Sequence, residues 1–181
     1  MTVFSKLVNN FSPQVRTPAD GKWKSFTEPR PYVTVSGFAY DSKGTFPIIY
    51  RSDKVRSAKN CWAVPSGLHE VGLSLDEQFA AELQEELNLE PVTGKADIVG
   101  VYENIAEVDS WHWVIIVVTM RVKTLDTMIN KEPDRHTEIR KIELKSLMDD
   151  SLIQLPWAPS LGTALEKYRL KIYESIYLGV K

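Results

Sequence analysis

The chain has 181 residues, 43% hydrophobic and 25% charged, enough for one well-buried core and too little for two. Its formal net charge of −2, from 22 basic and 24 acidic residues, excludes a global attraction to nucleic acid or anionic lipid. A single cysteine, Cys61, excludes an intramolecular disulfide, and with no apolar run of roughly 18 residues and no leader-like start, a cytoplasmic protein that does not enter membranes is expected.

In chain order, Phe4, Leu7, Val8 and Phe11 have helical spacing, but Pro13 and Pro18 interrupt it, and residues 21–31 read as an extended arm with Trp23 and Phe26 as anchors. Residues 1–30 are therefore expected to be an N-terminal extension ahead of one domain over residues 31–181. Residues 32–40 are β-rich, Asp41 to Gly44 is a turn, and residues 46–50 read as the return strand of a hairpin. Arg51, Lys54, Arg56 and Lys59 follow as a basic run. Arg51 closes the strand, which fixes the position of its planar fork, so Arg51, with Lys54, is the candidate phosphate grip. Trp62 is expected to be a packing anchor.

Next comes a helix with both ends marked. Ser74 and Glu77 form a capping box, Phe79, Leu83 and Leu87 recur as a buried stripe, and Asn88 tolerates the left-handed conformation that stops a helix. The spacing predicts a start near Leu75. Glu82, Glu85 and Glu86 stand at i, i+3 and i+4, which brings three like charges to one side. Residues 60–94 contain seven acids and no Lys or Arg, whereas residues 1–59 contain ten Lys or Arg and four acids. A solvated face is one outcome of such a pattern. The other is a hard divalent cation, which binds protein through a few carboxylates and substrate phosphates.

Beyond a loop at residues 91–95, residues 96–105 and 111–123 read as two strands. The run from Trp113 to Met120 is apolar enough to be central and covered on both faces. Glu103, Glu107, Asp109 and His112 surround the polar tip between the strands, and one of the acids is a candidate base. Asn130 to His136 reads N-K-E-P-D-R-H and leads into a strand over residues 139–147. After a break at Leu155-Pro156-Trp157, an amphipathic helix is expected over residues 160–176, with Leu161, Leu165, Tyr168 and Ile172 on one side. Strands before and after a central helix, with a second helix last, bury best as a mixed sheet between helices.

The stretch from Gly67 to Leu89 resembles the Nudix hydrolase signature, G-x5-E-x7-R-E-U-x-E-E-x-G-U. Glu82, Leu83, Glu85, Glu86 and Leu89 fall in register; Leu73, Ala81 and Asn88 replace the family's first Glu, its Arg and its late Gly. Glu70 adds a loop carboxylate nearby, at the wrong spacing for a direct replacement of that Glu. The N-K-E-P-D-R-H loop resembles a second motif, N-x-E-P-[DE]-[KR]-[HC], of the Nudix branch that acts on nucleotides. The resemblance covers about residues 32–170 and implies an α/β fold, a Nudix-like α/β/α sandwich with a mixed, curved β-sheet. It also implies hydrolysis of a nucleoside diphosphate linked to a group X, with Mg2+ or Mn2+ held by Glu82, Glu85, Glu86 and the Gly67 carbonyl. Arg51 would neutralise the phosphates, and the base would be Glu132 first and Glu103 second. The expected partner is a small-molecule nucleotide or nucleotide derivative; the only nucleic acid admitted is a capped RNA end, and a homodimer is allowed. Two rivals remain: a Nudix fold kept for nucleotide sensing without turnover, and an ordinary α/β interaction domain.

Overall fold

The computed structural model describes residues 31–106, 111–149, 152 and 154–181. The arm expected over residues 1–30 and the tip acids Glu107 and Asp109 lie outside them. The described residues form seven strands: β1 (Tyr32–Tyr40), β2 (Phe46–Arg51), β3 (Trp62–Ala63), β4 (Ser66–Leu68), β5 (Pro91–Ala106), β6 (Trp111–Val122) and β7 (His136–Ile142). Helix α1 (Leu75–Leu87) lies between β4 and β5, and α2 (Pro159–Gly179) closes the chain.

One sheet has the order β4-β1-β6-β5, in which β1 and β6 run parallel and the other pairs antiparallel; the second is β3-β2-β7, wholly antiparallel. The first sheet is thus the expected mixed one. The hairpin expected of β1 and β2 does not form. The turn between them, closed by the Gly44 N–H on the Asp41 carbonyl at 3.0 Å, carries the chain from one sheet to the other. β1 instead pairs with β6 from Tyr32↔Trp113 to Tyr40↔Arg121. Both strands have buried residues on both faces, and a central parallel pair covers them better than a local hairpin could. β5 likewise begins at Pro91 rather than after the expected loop, with register shifts at Pro91/Ala96 and Ile98/Gly100.

The helices take opposite faces of the mixed sheet. A Cβ on Gly37 would meet the Phe79 ring of α1 at 2.6 Å, and one on Gly100 would meet the Tyr168 ring of α2 at 2.5 Å. Gly37 pairs with Val118 and Gly100 with Val117, so the two glycines belong to alternate faces and admit one helix each. Within α1 the sequence cues hold. Ser74 Oγ accepts from Glu77 N–H, Glu77 Oε2 accepts from Ser74 N–H, and Asn88 stands left-handed at φ 55°. Phe79, Leu83 and Leu87 are fully buried, each worth about 1.5–3 kcal/mol relative to exposure, so the stripe presses α1 onto the sheet. No helix among the described residues is long and apolar enough to cross a membrane.

Candidate active site

The carboxylate side of α1 meets the loop from Asn130 to His136 because the helix end needs hydrogen-bond donors. Its last carbonyls have no partner within the helix. Ile129 N–H donates to Leu87 O at 3.0 Å, Lys131 N–H to Glu86 O at 3.0 Å, and Lys131 Nζ to Gln84 O at 2.9 Å. Two backbone bonds and one from a side chain thus deliver Glu132 to the helix. Asn130 then ties the loop shut, its amide donating to the His136 carbonyl at 2.6 Å while its oxygen accepts from Glu132 N–H at 3.1 Å.

Ligand-type atoms of Glu86, Glu132 and His136 lie within 4.8 Å of one another as a result. Glu86 is 4% exposed and His136 0%, and Glu86 Oε2 and both ring nitrogens of His136 have no hydrogen-bond partner. Leaving such groups buried and unsatisfied costs about 1–3 kcal/mol each. A bound cation would satisfy them, so the donor set fits a divalent metal. Glu82 lies beside the trio with its carboxylate against the Cα of Gly67, where an added Cβ would collide with it. The Gly67 carbonyl, a predicted ligand, accepts the Thr34 hydroxyl at 2.7 Å. Glu85 points to solvent and is not part of the trio.

Electrostatics mark the same place. Burial, then repulsion from Glu82 and Glu132, pushes the Glu86 carboxyl up to about 8 despite Arg135 and a hydrogen bond from the Ser66 backbone. Burial, then Glu85 and Glu132, raises Glu82 to about 7, held back by its hydrogen bond from Gln78 and by Arg135. His136 is pushed down to about 4, chiefly by burial and further by Arg51 and Arg135, so its ring is neutral. Arg135 donates one guanidinium N–H group to both oxygens of Glu132 at 2.9 Å.

The remaining candidates have definite places. Arg51 is braced by the Ala58 and Ser57 carbonyls at 3.0 Å each and lies close enough to Glu86 and Glu132 to feel their charge. Exposed Lys54 pairs with Asp134 at 2.9 Å, on the rim of the same loop. Trp62 is buried under the Arg140 guanidinium, 4.4 Å from its ring centre, and serves packing. Glu103, on β5, pairs with His112 at 3.2 Å and is exposed. β5 lies at the opposite sheet edge from β4, three strand spacings or about 14 Å across.

Sequence reasoning assigned no role to three residues here. Gln78, 2% exposed, donates to Glu82 Oε1 at 2.8 Å and accepts from Glu70 N–H at 2.7 Å. The backbone N–H can only donate, so the amide orientation is fixed and the NH2 faces Glu82. Gln78 thus holds Glu82 from one turn earlier, the kind of support that Ala81 cannot give. Arg135 and His136 were visible only as letters of the loop motif. Leu73, half-buried, stands in the turn before α1 and outside the core.

No family model matches the chain and no curated protein does. Solved structures do. A MutT NUDIX hydrolase from Burkholderia pseudomallei is 23% identical with TM-score 0.62, over 77% of this chain and 98% of that one. The MutT protein from Methanosarcina mazei Go1 is 22% identical with TM-score 0.56, over 87% and 99%. The NUDIX domain of Shewanella oneidensis NrtR, complexed with ADP ribose, is 13% identical with TM-score 0.60, over 100% of both chains.

Proposed function

With the Nudix fold as its premise, we propose that this chain is a metal-dependent hydrolase of a pyrophosphate linkage in a nucleoside diphosphate bearing a further group X. The observation that carries the reading is the meeting of Glu82, Glu86 and Glu132 around buried, unpartnered donor atoms, with Arg51 and Arg135 alongside. The ADP ribose bound to the Shewanella domain, a nucleoside diphosphate carrying a sugar, supports the substrate class.

In this reading Glu82, Glu86 and the Gly67 carbonyl would hold a divalent ion, Mg2+ or Mn2+, with Glu85 reaching it from the solvent-facing side. When bound, the ion neutralises phosphate charge and lowers the pKa of water. Gln78 keeps Glu82 turned towards Gly67. Glu132 takes the proton from the attacking water, and Arg135, touching both its oxygens, sets its direction. Pro133 biases the backbone before it towards extended geometry, which limits the freedom Glu132 loses on substrate binding. Arg51, already braced by two carbonyls, places positive charge where phosphates approach, and Lys54 adds charge at the rim.

The test is phosphate release across a nucleotide panel with Mg2+ and Mn2+, beside thermal shifts with the same ligands. Turnover on a nucleoside diphosphate-X compound is expected. Thermal shifts without turnover would instead favour a nucleotide-binding sensor, the reading that Leu73 and Ala81 favour by departing from the family pattern. Neither response would sink both.

A further inference from the structure

We infer that His136 ligates the metal ion beside Glu86, and that the centre therefore prefers a first-row transition ion to Mg2+. The inference rests on the metal-binding reading above and deepens it by naming a ligand and the class of ion. His136 contributes what a carboxylate helix lacks, a nitrogen donor. Its ring is fully buried, neither nitrogen has a hydrogen-bond partner, and one nitrogen lies within 4.8 Å of oxygens of both Glu86 and Glu132. Bonds of about 2.1 Å to one ion place ligand atoms roughly 3–4 Å apart, a spacing compatible with the 4.8 Å bound on this set.

The ring is held where it stands. His136 N–H donates to Glu132 O at 2.9 Å, its carbonyl accepts from Asn130 at 2.6 Å, and its backbone pairs with Arg51 of β2. With neither ring nitrogen engaged in a hydrogen bond, the neutral imidazole has a lone pair to donate. Glu86 supplies its unpartnered Oε2, and Glu132, whose two oxygens both accept from Arg135, brings a further carboxylate oxygen within reach of the same point. The three donors come from α1, the loop and β7, so the geometry is set by the fold. Imidazole suits ions from Fe2+ to Zn2+, whereas Mg2+ takes oxygen ligands and keeps its waters.

The experiment is calorimetric titration of the whole chain with Co2+, Mn2+ and Mg2+, for wild type, His136→Gln and Glu86→Gln, with visible spectra of the Co2+ form. Even outer partners of metal ligands change affinity by roughly 10–100-fold, so His136→Gln should weaken Co2+ by at least about tenfold. It should leave Mg2+ within about threefold and shift the Co2+ spectrum. Glu86→Gln should weaken every ion. If His136→Gln leaves Co2+ affinity and spectrum unchanged while Glu86→Gln abolishes binding, His136 is not a ligand and the carboxylate reading stands. If wild type binds none of the three ions, the carboxylate reading itself falls. Should His136→Gln not fold, the imidazole nitrogen-15 spectrum of wild type with Zn2+ decides: a shift confined to the buried histidine supports ligation, and none overturns it.

Discussion

Two acid-bearing regions, alike in the sequence, differ in what surrounds their charge. On β5, Glu103 is exposed and paired with His112. At the end of α1, Glu82 and Glu86 crowd Glu132, with Glu86 buried and one of its oxygens unpartnered. An exposed ion pair contributes about 0–1 kcal/mol and carries little information, whereas uncompensated buried carboxylates persist only if something else is gained. The contrast separates a surface from a candidate site.

The sharpest way to break it is to neutralise one acid in each region. Glu132→Gln should reduce kcat by roughly 10²–10⁴-fold, the usual contribution of a general base, with little change in melting temperature. Glu103→Gln should leave kcat within about twofold and stability within about 0.5 kcal/mol. Equal losses at both positions would erase the distinction.

A test of burial comes next. Glu86→Gln should abolish metal-dependent turnover yet raise the metal-free melting temperature at pH 8 by several degrees, because it removes the buried charge. Glu85→Gln should also reduce turnover while moving stability less, as Glu85 is exposed. A lower melting temperature for Glu86→Gln would contradict the electrostatic account.

The pH dependence follows from the same groups. Glu82 and Glu86 titrate at about 7 and about 8 in the fold, above the ordinary 4.5, so the folded state holds more protons than the unfolded between these values. Their destabilisation is absent below about 4.5 and complete above about 8. His136, lowered to about 4 from 6.5, acts oppositely between those two values, one group against two. In EDTA the melting temperature should therefore fall as pH rises from 5 to 8, and Glu86→Gln should flatten the fall. A flat wild-type profile would refute it.

The smallest effects concern the departures from the signature. Leu73→Glu with Ala81→Arg should tighten Mn2+ by about tenfold or more, since a well-made charge-assisted hydrogen bond is worth about 1.5–3 kcal/mol. Leu73 is outside the buried core, so the fold should tolerate the change. If Mn2+ affinity is unchanged in the folded double mutant, Gln78 already does the work of that arginine, and Gln78→Ala should then lower it.

What the sequence alone determined is local and periodic. Ser74, Glu77 and Asn88 bound α1 because caps act across one turn, and Phe79, Leu83 and Leu87 select its buried face because a helix repeats every 3.6 residues. The spacing of Glu82, Glu85 and Glu86 followed from the same repeat. Only the tertiary structure decided that Glu86 is buried while Glu85 is not, and that His136 joins Glu86 and Glu132. It also decided that β1 pairs with β6 rather than β2, and that two short strands, β3 and β4, form on either side of Val64 and Pro65. Coulomb forces and desolvation depend on distance through space, and the contacts that set those distances join residues far apart in the chain.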